Sequence, residues 1–117
     1  MNLKLSLMTT TVLVGLACAT SVPAEKGEAS SAAIRAAEEV GAKHSPDSAL
    51  YLQLAKEEFG QARALTDQKN KDRAERLLLR AQVDAELSLA LARSESEKSE
   101  ALGAIEKVKT LKESAIQ

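Results

Sequence analysis

The sequence predicts an all-α protein: an antiparallel helical hairpin within a three-helix arrangement, with a long C-terminal helix, behind a cleavable signal peptide. Three observations carry this. The chain of 117 residues holds 21 alanines and 28% charged residues, and alanine, leucine and the long charged side chains lose least on entering a helix. Only five glycines and two prolines are present, and most of them stand between segments. Apolar positions recur at three- and four-residue intervals, the spacing of one helical face.

The first segment, residues 1–17, reads as a signal peptide. Lys4 is its single positive charge, and residues 5–17 are apolar or hydroxylic. Thirteen residues at ~1.5 Å each reach about 20 Å, short of the ~30 Å hydrocarbon core, so this is an export leader and not a membrane span. The sole cysteine, Cys18, falls at its end. Gly15-Leu16-Ala17-Cys18 resembles a lipobox: Ala17 fits the small residue before the cut, whereas Gly15 and Leu16 depart from the pattern. Ordinary signal peptidase, which wants small residues at −3 and −1, would instead cut after Ala17-Cys18-Ala19 or after Val22-Pro23-Ala24. Lipidation of Cys18 is the favoured reading, because the sole cysteine falls at the end of the apolar run; several acyl chains at ~0.8 kcal/mol per buried CH₂ would then hold the protein firmly on a membrane. Ala19 after the cysteine, by resemblance to the enterobacterial sorting rule, favours the outer membrane.

Residues 18–27, with Pro23 and Gly27, read as the lipidated cysteine and a short tether, and residues 28–117 as the helical domain. Its first helix is expected over about 28–40, with Ala29, Ala33, Ala36, Ala37 and Val40 on one face. Gly41 then supplies the left-handed residue that ends helices, and Glu39 and Lys43 sit at pairing distance along the last turn. The second helix is expected over 46–66. Ser45 is the cap, Pro46 occupies the first turn, where no amide donor is needed, and Asp47 meets the positive end of the dipole. Leu52, Ala55, Phe59, Ala62 and Thr66 form its seam, flanked by Leu50, Leu54 and Leu65. Gly60 interrupts it, either on an exposed face or at a close backbone approach.

Residues 67–70 form a turn short enough to require an antiparallel hairpin. Asn70 is the expected cap of the third helix, over 71–116, with Asp72 and Arg76 one turn apart. Ala74, Leu77, Leu78, Ala81, Ala85, Ser88, Leu91 and Ala92 form its buried stripe. Residues 94–100 carry no apolar side chain. Beyond them Ala101, Ala104, Ile105, Val108 and Ala115 recover a face, with Leu102 beside it. A helix of that length, about 69 Å, outruns the second, at about 31 Å. A continuous but partly exposed helix is the expectation.

The residue inventory excludes several functions. The net charge of −1 becomes −2 when Lys4 leaves with the leader. No basic run interleaved with aromatics is present to hold nucleic acid, since Tyr51 and Phe59 are the only aromatics. The one histidine, His44, stands in a loop without a second imidazole or thiol. Glu38-Glu39 and Glu57-Glu58 are sequence neighbours that diverge around a helix and read as solvated faces. The carboxylates of 94–100 lack the glycine-turned loop of a calcium site. The sequence therefore implies no enzyme, no cofactor, no metal and no small-molecule substrate.

Ser45-Pro46, Ala55-Lys56-Glu57-Glu58-Phe59 and Ala62, followed by Ala74, Leu78, Ala81, Asp84-Ala85-Glu86-Leu87 and Ala90, resemble the pattern of domain of unknown function 4398 across residues 28–93. The resemblance implies a small helical domain behind a lipoprotein signal in a Gram-negative envelope. The family commonly has glycine, aspartate and an aromatic at the hairpin turn, where this chain has Lys69-Asn70-Lys71. Some members carry a downstream peptidoglycan-binding domain, and residues 94–117 are too few for one, so wall binding by that route does not carry over. The expectation is a non-catalytic, lipid-anchored interaction or scaffolding module facing the periplasm, with Leu102, Ile105 and Val108 as the surface for a partner or for self-association. Two alternatives stand beside it: a coiled-coil spacer between membrane and wall, and a soluble periplasmic chaperone or binding protein.

Overall fold

A computed structural model describes residues 22–116; the leader, Cys18 and the cleavage points before Val22 lie outside them. Three helices account for nearly all of the described chain: α1 (Val22–Glu39), α2 (Pro46–Asp67) and α3 (Lys71–Ala115), with one 3₁₀ turn, Ala42–His44, between α1 and α2. Lys26 of α1 pairs with Glu75, and Ser30 bonds to Leu78 further on, so α1 runs parallel to α3. Ser48 of α2 meets Ser88, and Glu58 meets Arg80, so α2 is antiparallel to both. The hairpin expected from the short turn is therefore α2 with α3, and α1 lies along it.

α1 begins earlier than expected, and residues 22–27 are helix and not tether. Pro23 sits in the first turn, where its missing N–H breaks no bond. Gly27 faces open space, and the Lys26–Glu75 ion pair holds these turns against α3. The buried stripe of α1 is Ser30, Ile34 and Ala37, while Val40 is exposed. The buried face is rotated from the one expected of apolar spacing because a serine occupies the centre of the contact.

Eight of the eleven buried apolar residues are alanines, joined by Ile34, Leu52 and Leu78. On α3 the buried positions are Ala74, Leu78, Ala81, Ala85, Ser88 and Ala92, a seam of mostly small residues that lets two helices approach closely. Leu77 and Leu91 are half-buried at its edges. On α2 the buried residues are Ser48, Leu52, Ala55, Glu58 and Ala62; Phe59 is half-buried against the core, and Thr66 is exposed.

The buried serines join the elements. The Ser30 hydroxyl lies 2.7 Å from the Leu78 carbonyl of α3 and 2.7 Å from the Lys26 carbonyl of its own helix, sharing one proton between them. Ser88 donates to the Ser48 carbonyl at 2.7 Å. Ser48 donates to the Ala42 carbonyl at 2.5 Å, tying α2 to the 3₁₀ turn. A buried hydroxyl left without a partner costs about 1–3 kcal/mol, so these bonds are what permits serine in the core.

Gly41 adopts φ 80° after α1, and a Cβ there would lie 2.7 Å from Nδ1 of His44. α2 ends in a six-to-one bond from Asn70 to the Leu65 carbonyl and a bond from Lys69 to the Thr66 carbonyl, with Lys69 itself at φ 62°. This is the geometry that ordinarily takes glycine. Ser45 and Asn70 stand at the expected cap positions, but neither side chain makes a capping bond; their carbonyls accept from Ala49 and Ala74 instead. The i,i+4 pairs expected of Glu39 with Lys43 and Asp72 with Arg76 do not form; Glu38 pairs with Lys56 across to α2. Gly60 is exposed with nothing within 4 Å of an added Cβ.

Candidate interaction surfaces

The hairpin partner ends well before α3 does. α2 has 22 residues and α3 has 45, about 33 Å against about 67 Å. Every residue from 93 to 116 is exposed, and α3 stays helical through the polar run 94–100 to Ala115. Glu95, Ser96, Ser99 and Glu100 still flank an open groove shared with Val40, Gly41, His44 and Ser45 at the α1–α2 junction, so it is residues 101–115, about 22 Å of helix, that stand free of the bundle. Leu102, Ile105 and Val108 all lie on this projection, with exposures of 67%, 64% and 52%. Leu111, 60% exposed, joins them. Ala101, Ala104, Val108, Leu111 and Ala115 follow a three-four alternation, the spacing of a helix–helix seam, and Lys112 interrupts the stripe.

The bundle contributes a second kind of site. Glu58, expected on a solvated face, is buried, and its Oε1 lies 2.6 Å from the Arg80 guanidinium. Its Oε2 has no hydrogen-bond partner. Burial raises the Glu58 pKa; Arg80 opposes that shift, and the neighbouring Asp84 reinforces it. Glu57, the next residue, points to solvent. Adjacency in sequence hid this difference, because neighbours on a helix lie ~100° apart and only one can face α3.

An open groove of about 420 Å³ separates the start of α1 from the end of α2, with Phe59 and Leu78 in its wall and Glu28, Arg63 and Asp67 at its rim. His44 is exposed at the opposite end of the bundle. Among the described residues no three His, Cys, Asp or Glu side chains are placed to hold a metal ion, and no helix is long and apolar enough to cross a membrane.

A lean three-helix bundle whose last helix doubles the length of its hairpin partner defines an all-α protein built on small-residue packing. The family model for domain of unknown function DUF4398 matches residues 26–104, and the chain belongs to that family. The match takes in the bundle from Lys26 of α1 onward and enters the projection as far as Ala104. No curated protein and no solved structure matches the chain.

Proposed function

We propose that the chain is a non-catalytic, lipid-anchored protein of the cell envelope, held through Cys18 on the outer membrane and facing the periplasm, whose bundle presents the projecting end of α3 to a protein partner or to a second copy. The observation that carries this reading is the unpaired length of α3: a continuous helix with Leu102, Ile105, Val108 and Leu111 exposed along it. A helix in a protein gains most of its stability from packing an apolar face against a neighbour, and such a face left open is a surface for association. The export half of the reading is supported by the sole cysteine at the end of the leader.

Two measurements test it separately. Mass analysis of the mature protein is expected to find a diacylglyceryl Cys18 as the N-terminus; an N-terminus at Thr20 or Glu25 would refute the anchor. Site-specific photocrosslinking from position 105 in the native envelope is expected to capture a discrete protein species, lost in Val108→Glu. Absence of any adduct, with the protein monomeric in sedimentation, would remove the association surface.

A further inference from the structure

The two ends of the bundle differ in charge. Residues 61–80, the end of α2, the turn and the start of α3, hold six Lys or Arg against three Asp or Glu, a net of +3. Residues 81–100 hold two against five, a net of −3. The basic end is also where α1 begins, since Lys26 pairs with Glu75 there and Gly27 shares a groove with Asp67.

Three of these cations are gathered. Arg73, Arg76 and Arg80 recur at three and four residues along one flank of α3, and with Gln61 of α2 and Leu77 they line an open groove of about 390 Å³. Arg80 pairs with Glu58 through one nitrogen and remains 70% exposed. Arg73 and Arg76 make no ion pair among the described residues and are exposed. Of the acidic residues of this end, Asp72 and Glu75 line the adjoining groove with Lys26 and Arg76, so Arg76 stands between the two grooves, and Asp67 lines the groove beside α1 with Glu28 and Arg63. Planar guanidiniums with an amide donor beside them match the oxygens of a phosphate group.

We propose that Arg73, Arg76, Arg80 and Gln61 form a docking surface for the phosphate headgroups of an anionic membrane. The length of chain ahead of α1 argues for lipid over other phosphates. Cys18 stands four residues before Val22, a contour of at most about 14 Å, so an acylated Cys18 would keep the α2–α3 turn close to the headgroups. Basic side chains act within about a Debye length of such a surface, ~8–10 Å at ordinary salt. The orientation rests on the proposed anchor; the chemistry of the groove does not.

The test uses the chain from residue 18 with Cys18→Ser, which removes any acyl chain while keeping every contact of the bundle. Co-sedimentation with vesicles of phosphatidylglycerol and phosphatidylcholine is expected to show binding that vanishes on pure phosphatidylcholine and weakens with salt. Arg73→Gln with Arg76→Gln is expected to lower the partition coefficient about twenty-fivefold, about fivefold for each charge, with the thermal melt unchanged. Arg93→Gln, outside the groove, is expected to alter it less than twofold. Equal binding to both vesicles, or no effect of the double variant, would overturn the proposal. So would saturation of Arg73 and Arg76 by inorganic phosphate, seen in their side-chain NMR signals, without vesicle binding; the groove would then be a site for free phosphate. Vesicle binding by a protein whose native form carries no lipid would retain this surface and refute the anchor alone.

Discussion

The buried carboxyl of Glu58 and the left-handed Lys69 are the two residues at which local chemistry opposes the fold. Glu58 has its pKa raised above the ordinary glutamate value of 4.5, so the folded chain holds its proton in a range where the unfolded chain has released it. Its contribution to stability is fully present below that value and is lost as pH rises through the folded pKa. Glu38, beside Lys56, is shifted the opposite way; its contribution is present above the ordinary value and is lost as pH falls through the lowered one. Glu58→Gln is expected to raise stability at pH 7 by about 1 kcal/mol, since an unpaired buried oxygen no longer carries charge. It is also expected to flatten the decline in stability as pH rises above the ordinary glutamate value, read by urea denaturation; a steeper decline in the variant would refute the assignment. Lys69 holds φ 62° at the position where the family pattern has glycine, and Lys69→Gly is expected to raise the melting temperature by several degrees, about 1 kcal/mol.

For each element, what could be read in advance depended on how its boundary is made. α2 and the start of α3 follow their start signals within a residue, because Pro46 and a polar four-residue turn act locally. The buried stripe of α3 follows its alanine spacing for the same reason. The face of α1 does not, since apolar spacing marks one stripe and the contact is centred on the polar Ser30. A small hydroxyl that can reach a carbonyl one helix away is indistinguishable in sequence from one in solvent. Glu58 is hidden in the same way: the charged groups that meet it, Arg80 and Asp84, stand 22 and 26 positions later. The seam also predicts its own fragility. Ala81→Leu would force two closely packed helices apart, with an expected loss of about 1–3 kcal/mol by chemical denaturation; Gly60→Ala, facing open space, is expected to gain up to about 1 kcal/mol.

As a whole the molecule divides into a packed half and an unpacked one on a single helix. Residues 74–92 carry every buried side chain of α3, and residues 93–116 carry none. Backbone hydrogen bonds without tertiary cover open at low free energy. Amide exchange is therefore expected to be fast from about residue 95 onward and slow over 74–92, and to slow in the outer half only when a partner is bound. Uniform protection along α3 in the isolated monomer would contradict this division. The candidate surfaces follow the same partition: the exposed apolar stripe was evident from its spacing, whereas the arginine groove was not, because Gln61 and Arg73 are brought together only by the hairpin.

The acceptors for Ser30, Ser48 and Ser88 are all main-chain carbonyls. Substitution can delete a side-chain acceptor, but it cannot delete a peptide oxygen. Each clasp therefore depends on one mutable residue instead of two, and no paired change is required when its surroundings drift. A homologue that keeps small hydroxyl side chains at these three positions, and the small-residue seam between them, can exchange the residue that bears each accepting carbonyl without losing the clasp.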